Sequence, residues 1–418
     1  MFDFSELVAA WNETLPLFGQ SVSAWVDGIS INGVVVMVMM LFMLWGAIDK
    51  ILGNKYGYGE QWEEGLNAMG PLAVSMAGVV AVAPILALVL NPVIGPIYGL
   101  VGADPAMFAT TLLACDMGGY PLAMAMAANE AIGNYAGLLL GTMMGATIVF
   151  SIPVALGIID PADRPYLGAG VLCGVVTIPV GCIVGGFVMN AVTPYKLSVG
   201  EILINMIPVA IIALAIAAGL WFAPTAMLKG FDKFGTGVTI FITACTAIAI
   251  FETNTGILLP LFSDMVDVTR TGAVDAYNAG TSGLANGLLT CGNIAIILAG
   301  AYPMVKFITD KFGKALEKFG ALLGMNAAGS AGMVANLAND IAMFNLMKEM
   351  NPKAKLLNSA FAVSAAFLFG DHLGFCAGNN PDMITPMLVG KLTAGVLAVV
   401  LANFMAPKLL AKIPGADK

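Results

Sequence analysis

Leu113-Ala114-Cys115-Asp116-Met117-Gly118-Gly119-Tyr120-Pro121-Leu122 and Leu337-Ala338-Asn339-Asp340-Ile341-Ala342-Met343-Phe344-Asn345-Leu346 are the two stretches on which the fold turns. Each interrupts an apolar segment, at about 106 to 128 and 325 to 347, with a carboxylate near its middle. Such a charge costs about 2.5 to 3.5 kcal/mol on membrane-insertion scales, so it is kept only where it has work to do. Gly118, Gly119 and Pro121 in one stretch, and Asn336, Asn339 and Asn345 around the other, add flexibility and polar partners. Non-helical backbone at membrane depth must face protein or a water-filled cavity, so neither stretch reads as a plain lipid-facing helix.

Aligned, the two share Leu, Ala, Asp and Leu and place Tyr120 over Phe344, which points to an internal repeat. Weaker agreements extend it: Ser151 and Gly157 fall over Ser364 and Gly370 at an offset of 213, and Pro84 over Pro303 at 219, against 224 for the main pair.

Working outward, the composition places the chain in lipid. Apolar residues fill 59% of the 418 positions and charged ones 11%, with a mean hydropathy of +0.89. Eleven apolar segments follow, near 32 to 53, 67 to 90, 106 to 128, 135 to 158, 167 to 190, 200 to 222, 237 to 260, 282 to 305, 325 to 347, 356 to 377 and 384 to 406. The expected fold is an all-α polytopic membrane protein with about 9 to 11 transmembrane segments, an inverted repeat and two re-entrant or broken helices. It divides into an interfacial segment 1-31, a first repeat with linker helix 32-222, a second repeat 237-406 and a cytoplasmic tail 407-418. Residues 1 to 30 hold Asp3, Glu6, Glu13 and Asp27 but no Lys or Arg, unlike the basic start of a cleavable signal.

Basic residues in short loops gather on the cytoplasmic side. If all eleven segments cross, the split of the 18 Lys and Arg is poor, ten inside and seven outside. If segments three and nine are re-entrant hairpins, only Lys196 and Arg270 fall outside and fifteen fall inside, with Lys391 within a segment. The same change orients the two halves oppositely. It places the N-terminus outside and the C-terminus in the cytoplasm.

The net charge of -8, without a cluster of Lys or Arg, excludes a nucleic-acid-binding face. Cys115, Cys173, Cys182, Cys245, Cys291 and Cys376 stand singly in apolar runs, as small hydrophobes rather than a disulfide or metal framework. No metal and no cofactor are expected. An intramembrane aspartyl protease would need glycine where Leu368 stands, two residues before Gly370, and no nucleotide-binding loop, HExxH or nucleophile motif appears, so an enzyme is not expected.

Asp116 and Asp340 are the leading functional candidates, with helix N-capping as their structural alternative. His372, the single histidine, follows Asp371 and could serve as a proton or coupling site, or be an ordinary hydrogen-bonded residue. Glu252 is expected at a solvated helix end, and Lys391 is expected to snorkel to the outer interface. Acidic groups with few basic partners favour a cationic or neutral solute, carried by a facilitator, a proton- or sodium-coupled symporter, or a channel.

Several stretches resemble the ethanolamine permeases of bacterial ethanolamine-utilisation operons, the EutH family: LLACDMGGY at 112 to 120, GATIVFSIPVALGIIDPADRPYLGAGVL at 145 to 172, TIPVGCIVGG at 177 to 186, GAYPMV at 300 to 305, and FAVSAAF followed by GDHLGF at 361 to 375. The resemblance covers about residues 32 to 406 and departs in the N-terminal extension and around 223 to 280. It implies import of ethanolamine across the bacterial inner membrane for a cytosolic ammonia-lyase. A protonated ethanolamine wants a carboxylate, hydroxyl or amide partners and an aromatic face. On this reading Asp116 pairs with the ammonium, Asp340 with Asn339 and Asn336 supports it from the opposite hairpin, and Tyr120 and Phe344 supply rings. Uncoupled facilitation, with proton or sodium coupling as the alternative, and a homodimer complete the expectation.

Overall fold

The computed structural model describes residues 4–262, 265 and 283–414. Arg270 and Lys418, used above in the charge count, lie outside them. The described residues form helices and no strand. An apolar chain in lipid must satisfy its backbone internally, and helices do so within each segment.

In chain order the helices are α1 (Ser5–Asp27), α2 (Ile31–Ile51), α3 (Tyr58–Gly99), α4 (Ala106–Leu112), α5 (Gly119–Met126), α6 (Glu130–Ile158), α7 (Pro161–Val175) and α8 (Ile178–Val192). They continue as α9 (Val199–Phe222), α10 (Pro224–Thr255), α11 (Gly283–Leu322), α12 (Ala327–Ala338), α13 (Asp340–Leu346), α14 (Pro352–Ala365), α15 (Asp371–Asn379) and α16 (Ile384–Leu410). Seven of the described helices are long and apolar enough to cross a membrane, or eight if the pair α7 and α8, bent by 41°, counts as one span. Helix α1 buries none of its residues.

The segments expected to be irregular are indeed broken. Between α4 and α5 the backbone extends at Leu113 and Ala114 and then turns at Gly118 with φ 89°. An added Cβ at Gly118 would lie 1.7 Å from Val79 Cγ1, so both the left-handed turn and the contact with α3 require glycine. Between α12 and α13 the single residue Asn339 is extended. Its Oδ1 accepts the Ile341 amide at 2.8 Å, so Asn339, rather than Asp340, caps the following half-helix.

A third break, which the sequence reading missed, splits the tenth segment between α14 and α15. Phe367 has φ 60°, an uncommon conformation for a bulky residue. The break is held because the Phe367 amide donates to the Asn336 carbonyl (3.0 Å) and the Phe369 amide to the Leu337 carbonyl (2.8 Å). Those carbonyls end α12 and have no partner farther along their own helix. Gly370 permits this crossing, since a Cβ there would sit 2.1 Å from the Ala338 oxygen.

Helix α6 is wound unusually wide. It is π-helical over Tyr135–Gly145 and Thr147–Ser151, and α3 carries a shorter π turn over Ala73–Ala77. Such turns are rare and concentrate at functional sites. Here both flank the first break. Helices α7 and α8 pack through glycines on α14 and α16, joining the two halves of the chain.

Candidate functional site

The first and third breaks converge on one small cavity of about 50 Å³, lined by Asp116, Ala146, Phe150, Phe367, Asp371 and His372. Asp116 reaches it from the first break, Asp371 and His372 from the first turn of α15, and Phe367 from the third break. The rings of Phe150 and Phe367 meet edge to face, 5.7 Å between centroids, and Phe367 lies 5.2 Å from the His372 ring. The Tyr302 hydroxyl on α11 donates to Asp371 Oδ1 at 2.5 Å, leaving the other oxygen without a partner from that group.

Behind the cavity, Lys391 is 1% exposed. Its Nζ donates to the Thr142 carbonyl at 2.5 Å and stands 3.0 Å from His372 Nδ1. This corrects the expected snorkelling: the ammonium points into the protein. A lysine alone in an apolar run was itself a signal for an interior functional role. Asp340 is 0% exposed, and neither of its oxygens has a hydrogen-bond partner among the described residues, with Ser151 acting on it from outside hydrogen-bond geometry. Asp116, Asp340 and Lys391 act electrostatically on one another's neighbourhood, and Asp371 acts on both other carboxylates. Lys391 thus acts on Asp116 and Asp340, whereas Asp371 is held by the Tyr302 hydroxyl.

The other predicted residues are distributed differently. Asn336 is buried behind the break, its Nδ2 directed at the Asn358 carbonyl (3.4 Å). Phe344 is buried in α13. Tyr120 lies away from the cavity lining: its hydroxyl donates to Asn134 Oδ1 (3.1 Å), and its ring meets Phe375 edge to face. Asn134 Oδ1 also accepts from Asn380 Nδ2 (3.0 Å), which contacts the Tyr195 hydroxyl (2.9 Å), and that hydroxyl donates to Glu130 Oε1 (3.2 Å). Glu252, expected to be solvated, is 0% exposed and accepts the Leu259 amide at 2.6 Å, because the chain folds back over the end of α10.

Asp116 also lines a second, open space of about 440 Å³ with Ser75, Pro153, Asp232, Thr236 and Thr239. An open, mostly apolar space bearing Asp232 and three threonines therefore reaches the same carboxylate. It lies at the Pro153 end of α6, whereas the Tyr120 to Glu130 network lies at the Asn134 end. The open space and the hydrogen-bond network therefore lie at opposite ends of α6.

Cys115, Asp116 and His372 bring donor atoms within 4.8 Å of one another, a trio that could hold a transition metal. The Lys391 ammonium against the His372 nitrogen opposes a second cation there. All six cysteines are buried and unbridged.

Fold and site together define a multi-pass helical membrane protein with an ionisable cavity where its broken helices meet. The chain belongs to the EutH family: the family model described as "Ethanolamine utilisation protein, EutH" matches residues 31–405. It is 48% identical over 386 residues to a protein of Listeria monocytogenes serotype 1/2a (strain 10403S) named "Probable ethanolamine permease EutH", covering 92% of this chain and 96% of that one. Proteins of the same name from Escherichia coli (strain K12) and Salmonella typhimurium (strain LT2) are 47% and 46% identical, each covering 90% of this chain and 96% of the relative. No solved structure matches the chain.

Proposed function

We propose that the protein carries ethanolamine, as the protonated amine, across the bacterial inner membrane into the cytoplasm by facilitated diffusion. The observation that carries this reading is the cavity in which Asp116 and Asp371 face the rings of Phe150 and Phe367. An ammonium pairs with the carboxylates and meets the ring faces, and the hydroxyl finds His372. The volume of about 50 Å³ suits a solute of a few heavy atoms. The names of the relatives agree. Asp116 keeps the role expected of it, Asp371 and His372 become direct contacts, and Asp340 sets the charge balance from behind. Asn339 and Asn336 serve as the scaffold that holds Asp340 in place.

Two hairpins built on an inverted repeat fit this use. Thr147 Oγ1 donates to the Val363 carbonyl and Thr177 Oγ1 to the Ala394 carbonyl, at separations of 216 and 217 residues. Phe150 meets Phe367 at a like separation. Contacts between the two halves at nearly constant separation agree with a repeat whose halves pack on each other. The vestibule beside Asp232 then opens to the lysine-rich, cytoplasmic side and the Tyr195 network closes the outer side, with the N-terminus outside and the C-terminus in the cytoplasm. The number of complete crossings in this arrangement is nine.

Uptake of labelled ethanolamine into proteoliposomes tests the proposal, with Asp116→Asn and Asp371→Asn alongside. Equilibration without accumulation under proton and sodium gradients is expected, with both variants strongly impaired. Accumulation driven by a gradient would replace facilitation with symport. Wild-type uptake by both variants at normal expression would sink the site assignment.

A further inference from the structure

We propose that an anionic phospholipid binds in the apolar groove between α12, α14 and α16, with an acyl chain along α16 and its phosphate on the Lys353 ammonium. This groove shares no lining residue with the cavity at Asp116.

The groove encloses about 320 Å³. Val334 of α12 and Phe361 of α14 are buried in its wall, whereas Leu392, Val396 and Val400 of α16 form an exposed lip. Along α16 it runs from Leu392 to Asn403, about 16 Å at 1.5 Å per residue. That is close to the roughly 15 Å hydrocarbon depth of one leaflet, half of a bilayer core. An exposed apolar helix face is ordinary in a membrane protein, so the shape alone names no occupant. The polar groups at one end do.

At that end Leu323 and Met325 line the groove, and Gly324 between them turns with φ 78°. The Lys353 side chain crosses this turn, its Nζ 3.5 Å from where a Cβ on Gly324 would stand. Lys353 is half-buried, and among the described residues its ammonium has neither an ion pair nor a hydrogen bond. Lys355, two residues on, is instead paired with Asp163. The Asn403 amide oxygen also lines the groove, buried and without a hydrogen-bond partner. Phe361 packs on Gly395, and from that contact α14 and α16 run in opposite directions. Lys353 and Asn403, each about two turns away from it, therefore come to the same end.

An apolar channel of one leaflet's depth that ends at an unpaired cation and an unpaired acceptor is complementary to one kind of molecule. A lipid chain fills the channel, its phosphate pairs with Lys353, and a hydroxyl of its head supplies the donor that Asn403 lacks. Phosphatidylglycerol has all three parts. The wall it would press on matters to the fold, because the Leu337 carbonyl on the same groove accepts the Phe369 amide where the second and third breaks cross.

The full chain, purified in detergent and stripped of lipid, is melted with equal amounts of dioleoyl phosphatidylglycerol, dioleoyl phosphatidylcholine or glycerol 3-phosphate. A ligand that binds only the folded state stabilises it by mass action. Phosphatidylglycerol is expected to raise the melting temperature by several degrees, phosphatidylcholine by less and glycerol 3-phosphate not at all. Lys353→Gln should lose the preference for phosphatidylglycerol, and Lys353→Arg should keep it. Val396→Trp, at the exposed lip, fills the groove and should blunt the response to phosphatidylglycerol. A phosphatidylglycerol with a diazirine in its acyl chain should label peptides of α12 and α16, and this labelling does not depend on how stable a variant is.

Equal stabilisation of wild type by the two lipids would overturn the proposal, as would a preference that survives in Lys353→Gln. Stabilisation by glycerol 3-phosphate alone would make Lys353 a site for soluble phosphate instead. Labelling spread evenly over α2 and α9 would show that lipid coats the protein without a seat in this groove. No ethanolamine enters these measurements, so they stand whatever the transported solute proves to be.

Discussion

Tyr302, in the middle of α11, donates its hydroxyl to Asp371 Oδ1, the first residue of α15, at 2.5 Å. Two segments 69 residues apart thereby fix one carboxylate at the wall of the cavity. A hydrogen bond to a charged acceptor is worth about 2 kcal/mol, and losing it lets the carboxylate rotate. Tyr302→Phe is expected to raise the KM for ethanolamine by roughly thirtyfold with a smaller effect on maximal rate. An unchanged KM would mean that Asp371 is positioned by other contacts.

Phe367 combines a ring at the cavity with a left-handed backbone. Replacing it by leucine keeps bulk but removes the aromatic face, at a cost of about 1 to 2 kcal/mol for a desolvated cation, or roughly tenfold in apparent affinity. Phe367→Gly separates the two features: it relieves the backbone and loses the ring. The glycine variant is expected to be no less stable than the leucine variant and no better at uptake. Wild-type affinity in Phe367→Leu would remove the ring from the substrate site.

On the closed side, Asn380 Nδ2 ties Asn134 to Tyr195 and Tyr120 completes the network. Asn380→Ala and Tyr120→Phe are expected to favour opening there. Cys115 next to Asp116 is buried and is the natural reporter. Labelling by a membrane-impermeant maleimide added outside intact cells should rise severalfold in Asn380→Ala. Equal labelling of wild type and both variants would show that the network is structural packing rather than a gate.

Gly370→Ala tests the crossing of the second and third breaks. Its Cβ would stand 2.1 Å from the Ala338 oxygen, against backbone that cannot rotate away. Overpacking of this kind costs about 1 to 3 kcal/mol, and the melting temperature is expected to fall by several degrees, with uptake falling as Asp371 is displaced. An alanine variant of normal stability and uptake would show that this crossing yields at little cost.

The sequence reading and the structure part at definite residues. Periodicity and hydropathy made the helical membrane fold plain, and intramembrane Asp116 and Asp340 marked the first two breaks. The third break was hidden, because Ala365-Ala366-Phe367-Leu368-Phe369 has no polar or glycine punctuation before Gly370. Its strain is sustained by hydrogen bonds to Asn336 and Leu337, partners 30 or so residues away. Lys391 carried the opposite lesson: the residue was conspicuous, but snorkelling and burial differ only in which way one side chain leans on its helix.

By itself the amino-acid sequence determined that this chain lives in lipid, folds as helices, keeps acidic groups inside the membrane and resembles one family across its length. These follow from local composition and from transfer energies that act residue by residue. Only the tertiary structure decided that Asp116 meets Asp371 and His372 rather than Tyr120 and Phe344, and that Lys391 turns inward beside them. Those outcomes depend on where three chain breaks cross, and the crossing is set by backbone carbonyls and amides that all residue types share and that leave little trace in a sequence.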